Sequence, residues 1–187
     1  MPKFFIETER FILRELIRED VDGMFVLDAD SEVHKYIGNN PILIKEQALD
    51  EIFFIQAHYQ EYGIGRWAII DKKTNDFIGW VGLEFITEET HGEKDYYDLG
   101  YRLIQKHWGE GIATETALSV LNYAFSTLGI NEVFAMAEPE NIASNRVLDK
   151  IGMKLVDLFE MEERKFNWYK IEKKDFNLSK KMNSTFY

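Results

Sequence analysis

The sequence predicts a mixed α+β domain: a mostly antiparallel central sheet of about seven strands flanked by about four helices. Three observations lead to it. Strand-like runs at 66–71, 77–86 and 96–104 follow one another, the first two joined by the polar Lys72-Lys73-Thr74-Asn75-Asp76, which is the pattern of an antiparallel meander. Helical periodicity falls in blocks before and after that meander, so an opening strand and two helices precede it and a helix, a strand, a helix and two strands follow. The 187 residues are 45% hydrophobic and 14% aromatic, enough for one domain with a sizeable core.

Residues 11–16 form the opening strand, apolar apart from Arg14 and Glu15. Asp20 offers a cap for a helix with Val21, Met24 and Phe25 on one face. After the loop signal Asn39-Asn40-Pro41, the residues Ala48, Ile52, Ile55, Tyr59 and Tyr62 recur at helical spacing until Gly63 and Gly65 stop the run. Behind the meander, 112–128 places Ala117, Leu121, Ala124, Phe125 and Leu128 on one stripe and ends at Gly129. Residues 132–137 read as a strand, Asn141 caps a helix carrying Val147, Leu148 and Ile151 that Gly152 closes, and 154–159 and 167–172 complete the strands. No repeat or linker interrupts this order. Residues 1–172 therefore read as a single domain and 173–187 as a polar C-terminal tail.

Composition excludes several classes of function. Cysteine is absent, which rules out a disulfide framework, a thiolate metal site and an acyl intermediate on a cysteine sulfur. Twenty-two Lys and Arg against 33 Asp and Glu leave a net charge of −11, the wrong sign for gripping duplex phosphates, so no nucleic-acid partner is expected. The opening residues lack a secretion signal and no apolar run nears the ~18 residues that span a bilayer. A soluble, cytoplasmic protein with no membrane partner is the expectation. His34, His58, His91 and His107 lack metal-ligand spacing, and no metal is expected.

The segment carrying chemistry is Lys106-His107-Trp108-Gly109-Glu110-Gly111, set between a predicted strand and the strongest helix. Glycines let the backbone approach an anion, and the first turn of a helix leaves N–H groups unpaired and aimed outward along its dipole. Such a turn is either a phosphate cradle or simply a tight connection. A dinucleotide fingerprint would need Gly or Ala where Thr114 stands, and a nucleotide P-loop would need a Gly-Lys-Ser/Thr end that is missing.

Around that turn, Leu99-Gly100-Tyr101-Arg102-Leu103, Gly109-Glu110-Gly111-Ile112-Ala113-Thr114-Glu115, Tyr123-Ala124-Phe125, Glu138-Pro139-Glu140-Asn141-Ile142-Ala143-Ser144-Asn145-Arg146 and Lys150-Ile151-Gly152-Met153 together resemble the GNAT superfamily of acyl-CoA N-acyltransferases, and within it the RimJ/RimL-like branch. The resemblance is strong over 99–153 and extends more weakly back to Thr8-Glu9-Arg10-Phe11-Ile12-Leu13-Arg14. Lys106 stands where the pattern usually has Gln or Arg, and Met153 where it has an aromatic. The helix after Asn141 carries no tyrosine, where many members keep a catalytic one.

The resemblance implies a GNAT-like fold and transfer of an acetyl group from acetyl-CoA to a primary amine, either a protein N-terminus or a small-molecule amine, by direct attack in a ternary complex. It implies a coenzyme arm lying along the 99–104 strand and bonded to the backbone of Tyr101, Arg102 and Leu103. The amides of Trp108, Gly109, Glu110, Gly111, Ile112, Ala113 and Thr114 would hold the pyrophosphate, with Asn141, Ser144 and Asn145 beside the arm and Asn141 also capping its helix. With no tyrosine on that helix, Ser144 is the implied donor of a proton to the leaving thiolate. An amine must lose its proton before it attacks, so a carboxylate is expected near the ends of the central strands. Asp98, Glu84 and Glu138 are the candidates, Asp98 first. Trp67, Phe77, Trp80 and Phe85 read as strand core before acceptor-pocket wall. The alternative is a non-catalytic acyl-CoA-binding or partner-binding module on the same fold, and the chain is a monomer or a homodimer.

Overall fold

The computed structural model describes residues 3–177. Among them eight strands form one sheet: β1 (Phe4–Glu7), β2 (Phe11–Glu15), β3 (Arg66–Asp71), β4 (Phe77–Ile86), β5 (Tyr96–Leu103), β6 (Glu132–Ala137), β7 (Lys154–Met161) and β8 (Arg164–Glu172), in the spatial order β1-β2-β3-β4-β5-β6-β8-β7. The helices are α1 (Val21–Asp28), α2 (Ser31–His34), α3 (Lys45–Tyr62), α4 (Ile112–Ser126) and α5 (Ile142–Lys150), with 3-10 turns at Arg18–Asp20 and Gln105–His107. This is the mixed, mostly antiparallel architecture read from the sequence. Its additional strand is β1, whose four residues are too short to show a period. The additional helix α2 is a single turn, started by Asp30, whose carboxylate accepts the Glu32 N–H at 2.9 Å.

Three boundaries moved for identifiable reasons. Helix α4 ends at Ser126, not at 128. The Thr127 and Leu128 amides both turn back onto the Tyr123 carbonyl before Gly129 at φ +73°, and Leu128 is left partly exposed. Strands β7 and β8 run closer together than expected because the hairpin between them turns on Glu162 and Glu163, both at positive φ. That turn ordinarily advertises itself with Gly or Asn. The third boundary is at 173, where the sequence reads as a polar C-terminal tail. Residues 173–177 are helical, and Phe176 is buried with its ring 5.2 Å from that of Phe125. The remainder, 178–187, lies outside the described residues.

All neighbouring strands are antiparallel except β5 and β6, which are parallel and connected through α4. This pair positions the site. Against β4, β5 stays in register from Tyr96 to Leu103, whereas against β6 it meets only at Asp98↔Phe134. Past that point the two strands part. Side chains alternate across the sheet, so Leu99, Tyr101 and Leu103 face α4 and α5 while Asp98, Gly100 and Arg102 face the α1 side. The main core, which includes Leu13, Trp67, Ile69, Val81, Leu83, Leu121 and Phe125, is fully or almost fully buried. A smaller cluster of Tyr96, Phe134 and Trp168 closes the sheet at the start of the gap.

Candidate active site

The parting of β5 and β6 opens a cleft of about 330 Å3 whose walls include Asp98, Tyr101, Glu138, Asn141 and Ser144. Groups expected to act together thus arrive from both faces of the sheet. A depression of about 380 Å3 at the opposite end of β5, around Tyr96 and Gly129, holds none of them.

On the α4/α5 face, the Leu103 carbonyl turns away from β4 and accepts the Trp108 indole N–H at 2.9 Å. Backbone groups alternate sides along a strand, so two residues earlier Tyr101 presents its N–H and C=O toward the gap, available to an extended ligand. Trp108 itself folds back to cover the end of β5, engaging the Leu103 carbonyl inside the protein. Gly109 and Gly111 lie at φ +81° and +76°, and Gly111 caps α4. The first helical bond belongs to Glu115, whose N–H reaches the Gly111 carbonyl at 3.1 Å, so the amides of Ile112, Ala113 and Thr114 precede the intrahelical ladder. The Arg10 guanidinium holds the turn by donating to the Glu110 carbonyl at 3.1 Å and to the Glu115 carboxylate at 2.7 Å. Coenzyme A fits this arrangement: an open strand edge for its amide arm, then a turn and helix start for its phosphates.

That fit makes Gly111 a sensitive position. Gly111→Val would place a β-branched residue in the left-handed region at a cost of about 1–2 kcal/mol. Relaxation of the turn out of that conformation would have to be reversed on binding, so titration calorimetry is expected to show acetyl-CoA binding weakened about tenfold, since each 1.4 kcal/mol is a factor of ten.

Helix α5 meets the cleft at its N-terminus. The Asn141 side chain caps it by accepting the Ser144 N–H at 3.1 Å. Ser144 Oγ lies 2.9 Å from the Tyr101 hydroxyl, which is also 3.1 Å from the Ser144 carbonyl. A phenol from β5 thus stands beside the Ser144 hydroxyl of the helix. Burial pushes the Tyr101 phenol well above its ordinary value, so it stays protonated at neutral pH. Asn145 does not present its amide to the cleft. Its Nδ2 donates to the Glu138 and Asn141 carbonyls, each at 2.8 Å, and its Oδ1 accepts from Asn167 at 2.7 Å and Tyr169 at 2.8 Å. It joins α5 to the end of β6 and to β8.

The α1 face carries the charges. Asp98 is buried, and its Oδ2 accepts from Arg66 at 3.0 Å while Oδ1 has no hydrogen-bond partner among the described residues. Burial raises its pKa, opposed by the Arg66 charge and hydrogen bond and reinforced by Glu84. Glu84 shares Arg66 at 2.8 Å, and Glu138 is paired with Arg164. The Arg102 side chain is held by Asp28 on this face, away from Tyr101, so only its backbone could meet a coenzyme. Trp80 lies between the Arg66 and Arg102 guanidiniums, 5.2 and 5.1 Å from its ring, and lines the cleft. Of the four aromatics read as core, Trp67 is core; Phe77 and Phe85 are half-buried at its margin, and Trp80 is cleft wall.

Sequence reasoning missed Arg66 and the Tyr101 hydroxyl. Neither has a local signal, because Arg66 reads as one charge opening a strand and Tyr101 as a strand aromatic. The register alone places Arg66 opposite Gly82 and Gly82 opposite Gly100, a row without side chains for the guanidinium to cross.

With a strand gap facing a helix N-terminus, and a buried carboxylate opposite a hydroxyl pair, the fold and site define an acyltransferase. The model for the acetyltransferase (GNAT) domain matches residues 10–154, and the chain belongs to this family. It is an acetyl-CoA-dependent N-acetyltransferase, with acetyl-CoA as co-substrate. It is 34% identical over 147 residues to the Bacillus subtilis protein named uncharacterized N-acetyltransferase YoaA, covering 79% of this chain and 81% of that one. A GNAT-family acetyltransferase from Bacillus anthracis superposes with a TM-score of 0.76 at 24% identity over 92% of this chain and 99% of the other. Spermidine N-acetyltransferase from Vibrio cholerae, solved with CoA and spermine, superposes with a TM-score of 0.72 at 18% identity, covering 91% and 99%. Among the described residues no helix is long and apolar enough to cross a membrane.

Proposed function

We propose that the protein acetylates a primary amine by direct attack in a ternary complex, with Asp98 as the base and Ser144 as the acid. The observation that carries this reading is the gap past Asp98↔Phe134, which gives one cleft Asp98 from one face and the Tyr101–Ser144 pair from the other. Coenzyme along β5 and acceptor on the Trp80 side would then meet through the sheet. The ammonium proton passes to Asp98, and the neutral nitrogen attacks the thioester carbonyl carbon. As the tetrahedral adduct collapses, the C–S bond breaks, the thiolate takes the Ser144 proton, and the surplus proton on the adduct nitrogen returns to the Ser144 oxygen, leaving the neutral amide and the free thiol. Tyr101, kept protonated, orients that hydroxyl.

The acceptor is a protein N-terminus or a small-molecule amine, the chain falls in the RimJ/RimL-like branch, and it acts in the cytoplasm. Release of free thiol from acetyl-CoA across a panel of peptides with free N-termini and small amines tests the reading. No coenzyme binding at millimolar ligand would end it. Ser144→Ala is expected to lower kcat about 100-fold and Tyr101→Phe by less, since the phenol only orients. The reverse order would make Tyr101 the donor.

A further inference from the structure

We propose that Arg66 is the positioning residue of this site, clamping one oxygen of Asp98 and leaving the other without a hydrogen bond among the described residues, to take up the proton of the amine. The proposal rests on Asp98 being the base. Its grounds are geometric. Nη2 of Arg66 reaches Asp98 Oδ2 at 3.0 Å and Glu84 Oε2 at 2.8 Å, while Nη1 donates to the Asp98 carbonyl at 3.2 Å and the Gly82 carbonyl at 3.1 Å. Backbone and side chain of Asp98 are thus both gripped by one planar fork, a geometry that a lysine ammonium cannot reproduce. The Trp80 ring supports the guanidinium from one side.

Two further features fit a built clamp. A Cβ on Gly100 would stand 2.5 Å from Arg66 Nη1, so this stretch of β5 is bare where the side chain crosses it. Asp98 is also the last β5 residue paired to β6, and its Oδ1 is buried there without a hydrogen-bond partner among the described residues.

Sharing Arg66 between two carboxylates has a directional consequence. Removing the cation strengthens the hold of Asp98 on a proton, and removing the Glu84 charge weakens it. The other titratable groups facing this trio are Tyr96 and Arg102 from β5 and Glu51 and His58 from α3.

The test is the pH profile of kcat/KM for one reactive amine at saturating acetyl-CoA, in wild type, Arg66→Met, Arg66→Lys, Glu84→Gln and Asp98→Asn. Arg66→Met is expected to move the acidic limb up by about 1–3 pH units, Arg66→Lys to move it partway, and Glu84→Gln to move it down, with acetyl-CoA affinity unchanged in all three. Arg66→Lys and Glu84→Gln carry the test if Arg66→Met does not fold. Inactive Asp98→Asn with a limb that stays in place, or shifts one way in both Arg66→Lys and Glu84→Gln, would overturn the clamp alone. Wild-type turnover in Asp98→Asn would overturn the base assignment and the clamp with it.

Discussion

Asp98→Asn is expected to lower kcat about 10²–10⁴-fold, the usual contribution of a positioned general base, while acetyl-CoA binding measured by calorimetry stays within about twofold of wild type as an order-of-magnitude expectation. The asymmetry follows from where the side chain sits. Asp98 projects to the α1 face, whereas Tyr101, Ser144 and the Gly109–Gly111 turn belong to the other side of the sheet. The substitution keeps size and shape. It removes the charge that burial opposes and equally the charge that Arg66 attracts, so the two effects on stability oppose each other.

The pH dependence has a definite sign. A carboxylate whose pKa is raised in the folded protein is ionised only above that raised value. Wild-type kcat/KM is therefore expected to fall, on acidification, at a pH above the ordinary aspartate value of about 3.9. Residual activity of Asp98→Asn should lack that limb. A limb that persists unchanged would assign the titration to another group.

Asn145→Ala is expected to lower stability by about 3 kcal/mol, because partners that the amide now satisfies would lose a bond at about 1–3 kcal/mol for each one left buried and unpaired. For a chain of this size that corresponds to a fall in Tm of about 6–12 °C, taking about 2–4 °C per kcal/mol. The same amide holds the start of α5 against Glu138 at the end of β6, so turnover should fall as well, through displacement of Ser144. Asn145→Asp keeps the oxygen that accepts from Asn167 and Tyr169 but sets a carboxylate oxygen against the Glu138 and Asn141 carbonyls, and should destabilise at least as much as Asn145→Ala. Thermal melts alongside steady-state kinetics separate the possibilities. An unchanged Tm with a raised KM for acetyl-CoA would return Asn145 to a direct coenzyme contact.

The parts of this protein legible in its sequence are those that local periodicity and turn chemistry specify. The stripe from Ala117 to Phe125 and the run from Ala48 to Tyr59 bury the faces their spacing marks, and the meander strands fall almost where alternation puts them. Gly109 and Gly111 were recognisable because a backbone at positive φ leaves a glycine in the sequence. The hairpin at Glu162 and Glu163 makes a comparable turn without one and left no such trace.

The sequence by itself thus determined the fold class, the glycine turn that opens α4 and, through the motifs that follow it, the neighbourhood of Asn141 and Ser144. Tertiary structure decided which groups share the site: Arg66 with Asp98 across three strands, Tyr101 with Ser144 between strand and helix, and Asn145 with Tyr169 between helix and strand. The physical reason is register. Which face a strand residue occupies and which residue stands opposite it depend on pairing with partners tens of residues away. The place where β5 parts from β6 is likewise a property of two strands, which the sequence of neither one contains.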